Sequence, residues 1–330
     1  MKLLVIGGAG YIGSHFVYEA IRVGHEITIF DNLSTGNKES IHPQAKFVEG
    51  DLTNKKDVDA VLAGNKFEAA LHFGAKLIVP ESVEKPLMYY ENNVYGVGVM
   101  LEGLKNHGVK NVIFSSTAAV YGDPINDEPL TEDSSLTVPI NPYGASKKAA
   151  EDLIQWTHTA HDINYIIFRY FNVAGADSSG EIGLSPKNPP THLIPVINEA
   201  ILGIRPEMKI FGEDYPTPDG TCIRDYIHIT DLAQAHVLGI EYLVKTGESN
   251  IINLGTNTGL SVKEILEATE EALKVTVPRA IFPRRAGDPA KLTASNKKAK
   301  ELLGWEPKFT VADMIISDYN WRKNPKFSNR

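Results

Sequence analysis

One thiol, Cys222, is all the cysteine the chain carries in 330 residues. A lone cysteine can close no internal disulfide and build no cysteine metal cluster, and that scarcity suits a reducing cytoplasm. Long apolar runs are missing too, since none approaches the ~20 residues of a membrane span. The apolar start Leu3-Leu4-Val5-Ile6 runs straight into glycines, so it reads as a strand and not as the core of a secretion signal. Basic residues do not cluster and the net charge is −8, which argues against nucleic acid or an anionic membrane as the main partner. There is no internal repeat and no biased tract. What is left, 42% hydrophobic and 22% charged residues, is a globular composition long enough for one large or two ordinary domains.

What is present is an alternation of short apolar runs with amphipathic stretches. Residues 2–7, 25–30, 45–48, 68–73, 112–115 and 165–168 read as strands. Helices are expected between them: one to about residue 23 with Ile12, Phe16, Val17 and Ala20 as its buried stripe, then 54–63, one long helix over 86–107, and 142–160. Such alternation defines the α/β class, a Rossmann-like doubly wound parallel sheet covered on both faces. Glycine, proline and serine dominate residues 175–190, so a boundary is expected there. Residues 1–174 would form the nucleotide-binding domain. Residues 175–330 would form a smaller mixed α/β substrate lobe, some segments of which return to the first sheet. That lobe is expected to hold helices near 195–202, 232–244, 262–273 and 297–303, the last capped by Gly304.

The first strand ends in Gly7-Gly8-Ala9-Gly10-Tyr11-Ile12-Gly13, which satisfies G-x-G-x-x-G from Gly8 and G-x-x-G-x-x-G from Gly7. A glycine loop between strand and helix lets the backbone approach a pyrophosphate seated on the helix N-terminus. A tight turn with no ligand gives the same pattern when it stands alone. Here the loop follows the first strand, and the second strand ends in Asp31, placed to take the adenosine ribose hydroxyls. A carboxylate there repels a 2′-phosphate, so NAD is expected over NADP. Asp51, at the end of the third strand, is either an adenine contact or the cap of the next helix.

Tyr143 and Lys147, four apart at a helix start, project from one face. Ionising a phenol near pH 7 requires a drop of roughly 3 units from its ordinary value. One ammonium ~5 Å away supplies most of that at an effective dielectric of about 20, and a second cation the rest. The pattern Tyr-x-x-x-Lys recurs at Tyr319 and Lys323, where it lies in an ordinary amphipathic tail beside Trp321. Context separates the two pairs: only the first lies between the glycine loop and a polar, loop-rich second half.

Several stretches carry a resemblance. They are the Gly7/Gly10/Gly13 loop, Asp31, Glu91-Asn92-Asn93-Val94, the run from Phe114 to Gly122, Tyr143-x-x-x-Lys147, the run from Arg169 to Ala176, Ile210 to Thr221, and Arg224-Asp225-Tyr226-Ile227-His228. Over close to the whole chain they resemble the extended short-chain dehydrogenase/reductase superfamily and, within it, the UDP-glucose 4-epimerases. The resemblance implies interconversion of UDP-glucose and UDP-galactose on a retained NAD. Hydride would pass from sugar C4 to NAD, and the 4-keto sugar would turn over and take it back on the other face. Tyr143 would be the base, Lys147 would hold the nicotinamide ribose and, with the cationic nicotinamide, depress the Tyr143 pKa, and Thr117 would stand where the family usually has serine. The NAD site would comprise Gly7, Gly10, Tyr11, Ile12, Gly13, Asp31, Asn32, Asp51, Leu52, Phe73, Asn92, Ser115, Tyr143, Lys147 and Tyr170. The UDP-sugar site would comprise Thr117, Tyr143, Asn172, His192, Leu193, Phe211, Arg224, Arg285, Asp288 and Leu292. A homodimer is also implied, paired through the helix over 86–107 and the one after Tyr143.

Two features depart from the family's pattern. Phe73-Gly74-Ala75-Lys76-Leu77 differs from its more usual sequence, and Leu292 stands at the gate beside the sugar C2 substituent. A tyrosine there restricts the pocket to plain hexoses. Leucine is shorter, so UDP-N-acetylglucosamine and UDP-N-acetylgalactosamine become candidate substrates. Sugar-nucleotide dehydratases share the fold but carry an Asp-Glu pair where Ala118-Ala119 stand, so dehydration lacks its acid and base. His158-x-x-His161 reads as a solvated helix end, and no metal is expected. Another sugar-nucleotide epimerase, or a catalytically silent NAD-sensing protein on the same fold, is the alternative. Intact Tyr143, Lys147 and Thr117 argue against the silent one.

Overall fold

Leu3 and Val5 pack to one side of the first strand and Leu4 and Ile6 to the other, all buried. A strand apolar on both faces belongs inside a parallel sheet with helices on each side. The computed structural model, which describes all residues except 186, 188, 286–288 and 328–330, shows that sheet. The first half runs β1 (Lys2–Ile6), α1 (Tyr11–Arg22), β2 (Glu26–Asp31), β3 (Lys46–Glu49), α2 (Lys55–Leu62), β4 (Ala69–His72), α3 (Val79–Glu84), α4 (Pro86–Tyr90), α5 (Gly96–Asn106), β5 (Asn111–Thr117), α6 (Pro142–His161) and β6 (Asn164–Tyr170). The second half runs β7 (Asn172–Ala174), α7 (Leu193–Ile201), β8 (Met208–Phe211), β9 (Ile223–His228), α8 (Ile229–Thr246), β10 (Asn250–Leu254), β11 (Gly259–Ser261), α9 (Val262–Leu273), β12 (Arg279–Phe282), β13 (Lys291–Leu292), α10 (Lys297–Leu303) and α11 (Val311–Lys323).

The large sheet has seven strands in the order β10–β6–β5–β4–β1–β2–β3, every neighbour pair parallel. Its outermost strand β10 comes from residues 250–254 of the second half. One face is closed by α1 and α8, which bury Phe16, Val17, Ala20, Leu232, Ile240 and Leu243 against Leu3, Val5, Ile29 and Phe168. The other is closed by α2, α5 and α6 through Val58, Leu62, Met100, Leu104 and Ile154 against Leu4, Ile6, Phe30 and Phe114. Each such side chain contributes roughly 1.5–3 kcal/mol on leaving water. A separate core joins α7, α9 and α11 to β8 and β9 through Ile197, Ile210, Tyr226, Ile265 and Ile315. No helix among the described residues is long and apolar enough to cross a membrane.

Three local readings change. The long helix expected over 86–107 is present but not uniform, because residues Glu91–Tyr95 between α4 and α5 are wound as a π-turn. The wider turn brings Asn93 into the interior, where its amide donates to the Lys76 carbonyl and accepts from the Lys76 N–H. Asp51 is not the cap of α2, since Asn54 accepts from the Lys56 N–H in that role. Strand β10 was not placed from the sequence, nor were the short strands β7, β9, β11, β12 and β13. Four of them have four residues or fewer and the fifth carries three charged or imidazole side chains, so none shows a readable period.

Candidate active site

About half of the expected cofactor residues, and Thr117, lie at or just past the C-terminal ends of strands in the large sheet, while Tyr143 and Lys147 lie on α6. Gly7 follows β1, Asp31 ends β2, Phe73 follows β4, Thr117 ends β5 and Tyr170 ends β6. Neighbours β1 and β4 send their chains in opposite directions along the sheet, so a crevice opens between their ends. Gly7 has a φ of +78°, and a side chain on it would strike the Gly74 backbone. A side chain at Gly13 would strike the Gly7 carbonyl. Helix α1 starts from Gly10 with neither a side-chain cap nor an acidic residue in its first turn. Its first amides and positive dipole end therefore face the glycine cradle, an arrangement that fits a pyrophosphate.

Asp31 is buried, and its two oxygens accept from the Ala9 and Leu33 N–H groups at 3.0 and 2.8 Å. Burial pushes its carboxyl up, against those hydrogen bonds. Asn32 donates to Asp51 at 2.9 Å, and Asp51 also accepts from the Thr53 amide and hydroxyl. Burial opposes ionisation of Asp51, but the Thr53 and Asn32 hydrogen bonds outweigh it and hold the carboxyl low. Among the other expected cofactor residues, several side chains are spent on packing. Tyr11 donates to the Gly175 carbonyl at 2.6 Å, tying α1 to the second half. Ile12 packs on the α1–α8 side of the sheet and Leu52 on the α2–α5 side. The Phe73 ring lies against Phe16 and His236, with centroids 5.6 and 5.0 Å away. Asn92 donates to the Gly74 carbonyl at 3.1 Å and so holds the loop that touches Gly7.

The proton-transfer group assembles where β5 and α6 meet. Asn141 caps α6 by accepting from the Gly144 N–H, and Pro142 takes the first helical position. That cap sets Tyr143 and Lys147 one turn apart. Tyr143 hydrogen-bonds Thr117 through its hydroxyl. Thr117 accepts from the Ala119 N–H at 3.2 Å, which leaves its own proton for the phenol oxygen. Lys147 is 3% exposed, donates to the Ser115 carbonyl at 2.7 Å and lies 4.6 Å from the Phe114 ring centre. Burial lowers its ammonium to about 7, with the Glu151 charge opposing. Burial pushes the Tyr143 phenol up, and the Thr117 hydrogen bond opposes it. The sequence expectation counted only the cations that lower the phenol, Lys147 and a second one; in the protein itself desolvation is the larger effect. Tyr170 hydrogen-bonds Ser115 and is held protonated, mainly by burial.

Sequence reasoning passed over the polar residues behind this group. Asn93 donates to Ser146, whose hydroxyl donates to the Tyr143 carbonyl. Glu151, fully buried, accepts from Ser116 and from two nitrogens of Arg169. The spacing Tyr143, Lys147, Glu151, four and four, was the signal that could have found it.

The expected sugar-nucleotide residues are spread over the second half. Asn172 opens β7 opposite Tyr226. His192 stands at the N-terminal boundary of α7 without a capping side-chain hydrogen bond and is exposed, and Leu193 begins that helix half-buried. Phe211 ends β8 with the exposed Arg285 guanidinium 3.9 Å from its ring centre. Arg224 and Leu292 are register partners in β9 and β13. The Arg224 guanidinium donates to the Ile223 and Pro289 carbonyls. Leu292 packs with Phe171 on Val120, Tyr121 and Leu130, so it reaches the turn that follows Thr117. Among the described residues no hydrogen bond or ring contact joins His192 or Leu193 to Phe211 or Arg285. Asp288 lies outside the described residues.

A doubly wound sheet, an uncapped glycine-loop helix at its switch point and a Tyr–Lys–Thr group beside it define a dinucleotide-dependent enzyme of the short-chain dehydrogenase type. The model of the NAD dependent epimerase/dehydratase family matches residues 3–255, and the chain belongs to that family. It is 44% identical to a UDP-glucose 4-epimerase of Halalkalibacterium halodurans over 98% of this chain and 96% of that one. A crystal structure of a UDP-glucose 4-epimerase superposes with a TM-score of 0.95 at 47% identity, covering 99% of both chains. The Bifidobacterium longum UDP-glucose 4-epimerase, solved in complex with NAD+ and UDP, superposes at 0.93 and 38% identity over 98% of this chain and 99% of that one.

Proposed function

We propose that the chain is an NAD-dependent epimerase that interconverts UDP-glucose and UDP-galactose at the sugar C4. The observation that carries this is the Thr117–Tyr143 hydrogen bond, set one helical turn from Lys147 and at the mouth of the glycine cradle. The near-full-length likeness to UDP-glucose 4-epimerases supports it. Gly7, Gly10 and Gly13 with the start of α1 would hold the pyrophosphate, Asp31 the adenosine ribose, and Asn32 and Asp51 the adenine side. Lys147, Ser115 and Tyr170 would line the nicotinamide end. NAD held there would supply reversible hydride acceptance, with no net redox change over a cycle.

The remaining chemistry belongs to the chain's own side chains. Tyr143 takes the proton of the sugar 4-hydroxyl and returns it once the 4-keto sugar has turned over. Thr117 hydrogen-bonds both the phenol and the sugar 4-oxygen, steadying the charge as it moves. The phenol starts above its ordinary value, so positive charge at the site must lower it, from Lys147 and from the cationic ring of the cofactor. Asn172, Arg224, Arg285 and Asp288 are assigned to the diphosphate and uridine ribose, with His192, Leu193 and Phe211 near the uracil. Residues 1–174 with β10 act as the cofactor domain, and the remainder of 175–330 carries the UDP-sugar. The shorter Leu292 side chain supports acceptance of N-acetylated hexoses.

The same reading places the enzyme in the cytoplasm as a homodimer. Leu87 is 86% and Trp156 72% exposed, on α4 and α6, with Val83, Tyr90 and Tyr95 exposed on and between α3 and α5. An apolar surface of this kind suits a second copy of the chain. Sedimentation should give twice the 36.2 kDa chain mass, and a clean monomer at working concentration would remove the dimer. The test of the activity is to incubate purified protein with UDP-galactose and no added NAD. UDP-glucose appearing without net nicotinamide reduction is expected; no conversion even with NAD supplied would overturn the reading.

A further inference from the structure

The helix that carries Tyr143 and Lys147 presents a third ionisable side chain on the same face. Glu151 lies one turn beyond Lys147, 0% exposed, and does not pair with it directly. Its carboxylate accepts from the Ser116 hydroxyl at 2.5 Å and from Arg169 Nε and Nη2 at 3.0 and 2.6 Å. Lys147 donates to the carbonyl of the neighbouring Ser115. Two successive residues of β5 are thus gripped by two successive turns of α6. Arg169 is the register partner of Ser116 and lies over the Tyr121 ring, whose hydroxyl donates to Asn253.

We propose that Glu151, locked by Arg169 and Ser116, is a positioning residue that keeps Lys147 charged and aimed at the nicotinamide end of the crevice. A buried ion pair is by itself a weak source of stability, and well-packed apolar residues often replace one without loss. This pair has a neighbour that changes the account. Lys147 and Arg169 are two cations taken out of water, and Glu151 is the carboxylate between them. Other titratable or charged groups around α6 include Tyr143 and the Lys148–Asp152 pair on α6 itself, His72 on β4, Tyr165 and Tyr170 on β6, Tyr121 after β5, Glu91 and Tyr95 in the π-turn, and Tyr89 with its hydrogen-bond partner Glu81 on α4 and α3. His72 is held neutral by burial and by Lys147, and burial of Tyr89, Tyr121, Tyr165 and Tyr170 keeps them protonated. Glu151 is the charge that opposes the desolvation of Lys147. Without it Lys147 sheds its proton at a lower pH, and the positive charge that the proposed mechanism sets against the burial of Tyr143 goes with it.

The activity arm of this proposal rests on the epimerase reading; its binding arm does not. Cofactor-free protein is titrated with NAD by calorimetry across pH, and UDP-galactose turnover is measured over the same range. With Glu151→Gln, the alkaline loss of NAD affinity and of turnover should both move to lower pH by about one to two units, the worth of a charge one helical turn away at an effective dielectric of about 20. Glu151→Asp should move them less. Glu151→Gln leaves Arg169 buried without its partner and risks unfolding, so the double variant Glu151→Leu/Arg169→Met is made alongside. If the pair serves packing alone, the double variant regains the wild-type profiles, and that result overturns the proposal. A limb displaced in the folded double variant supports it. Failure of the wild type to convert UDP-galactose would sink the epimerase reading, while the NAD titrations would still decide the role of Glu151.

Discussion

Gly7 and Gly74 meet backbone to backbone: a Cβ built on Gly7 would stand 2.5 Å from the Gly74 amide nitrogen. The contact joins the ends of β1 and β4, the two strands between which the crevice opens, so the cradle has no room for a side chain. Asn92 holds the same loop from the other side through the Gly74 carbonyl.

Gly7→Ala should therefore separate from an ordinary glycine replacement. Gly64 also has a positive φ, +70°, but nothing lies within 4 Å of its missing Cβ. Gly64→Ala should cost about 1 kcal/mol of backbone strain and leave the cofactor in place. Gly7→Ala must in addition displace the loop after β4, costing about 2 kcal/mol or more and most of the retained NAD. Denaturant unfolding and the NAD content of purified protein read the two effects. Equal behaviour of the two variants would show that the close approach is irrelevant.

Thr117 brings to Tyr143 the hydroxyl that a serine would also supply. Thr117→Ser should change kcat by no more than about threefold. Thr117→Ala and Tyr143→Phe should each lower it by about 10²–10⁴-fold, the range for removing a proton-transfer partner, with NAD still bound. Steady-state rates with UDP-galactose and cofactor content together test this. Near-wild-type turnover in Tyr143→Phe would take the phenol out of the chemistry.

How much of this was legible in the sequence depends on whether a feature is local. The large sheet was readable because Leu3 to Ile6 and Ile166 to Phe168 are apolar on both faces and Gly7 punctuates the end of the first. The glycine loop, Asp31 and the Tyr143–Lys147 pair were readable because fixed spacing is itself geometry. The second half resisted, since β7, β11 and β13 have only two or three residues and their pairing depends on partners dozens of residues away. The π-turn at Asn93 and the Glu151–Arg169 pair resisted for another reason. A buried polar side chain looks like a surface one until its partner is known. Desolvation of Tyr143 was equally invisible, which is why the sequence reading weighed only the cations that lower the phenol.

Leu292 gives a specificity test. It packs against Val120 and Tyr121, directly beyond Thr117, so in the proposed site its bulk would bear on the sugar end. Leu292→Tyr should leave UDP-glucose turnover within about threefold and cut UDP-N-acetylglucosamine turnover by roughly 10–200-fold, the range a steric change in a pocket delivers. Ratios of kcat/KM for the two substrates are the measurement. Wild-type protein that epimerises only the plain hexose would remove Leu292 as the permissive gate.

Buried histidines set the response to acid. His72 is held down to about 3, and His15, His228 and His236 to about 4, burial being the leading cause for each. In the unfolded chain these rings bind protons below about 6.5. In the folded chain they bind only near 4 or below, so the unfolded state takes up more protons as pH falls. Their contribution to stability is fully present above about 6.5 and is lost on the way down to about 4, at up to about 1.4 kcal/mol per pH unit for each ring. Asp225 works in the opposite sense, because burial raises its carboxyl to about 6 and the folded state gains that proton first. The net near pH 5 remains uptake on unfolding, so stability should be flat from pH 8 to 7 and fall steeply between 6.5 and 4.5. His72 isolates one term, since neither ring nitrogen hydrogen-bonds another residue. His72→Leu removes its titration without orphaning a partner and should flatten the slope of unfolding free energy at pH 5–6 by about one proton, or about 1.4 kcal/mol per unit. Parallel slopes for variant and wild type, from urea unfolding at each pH, would show that His72 is already protonated in the folded protein.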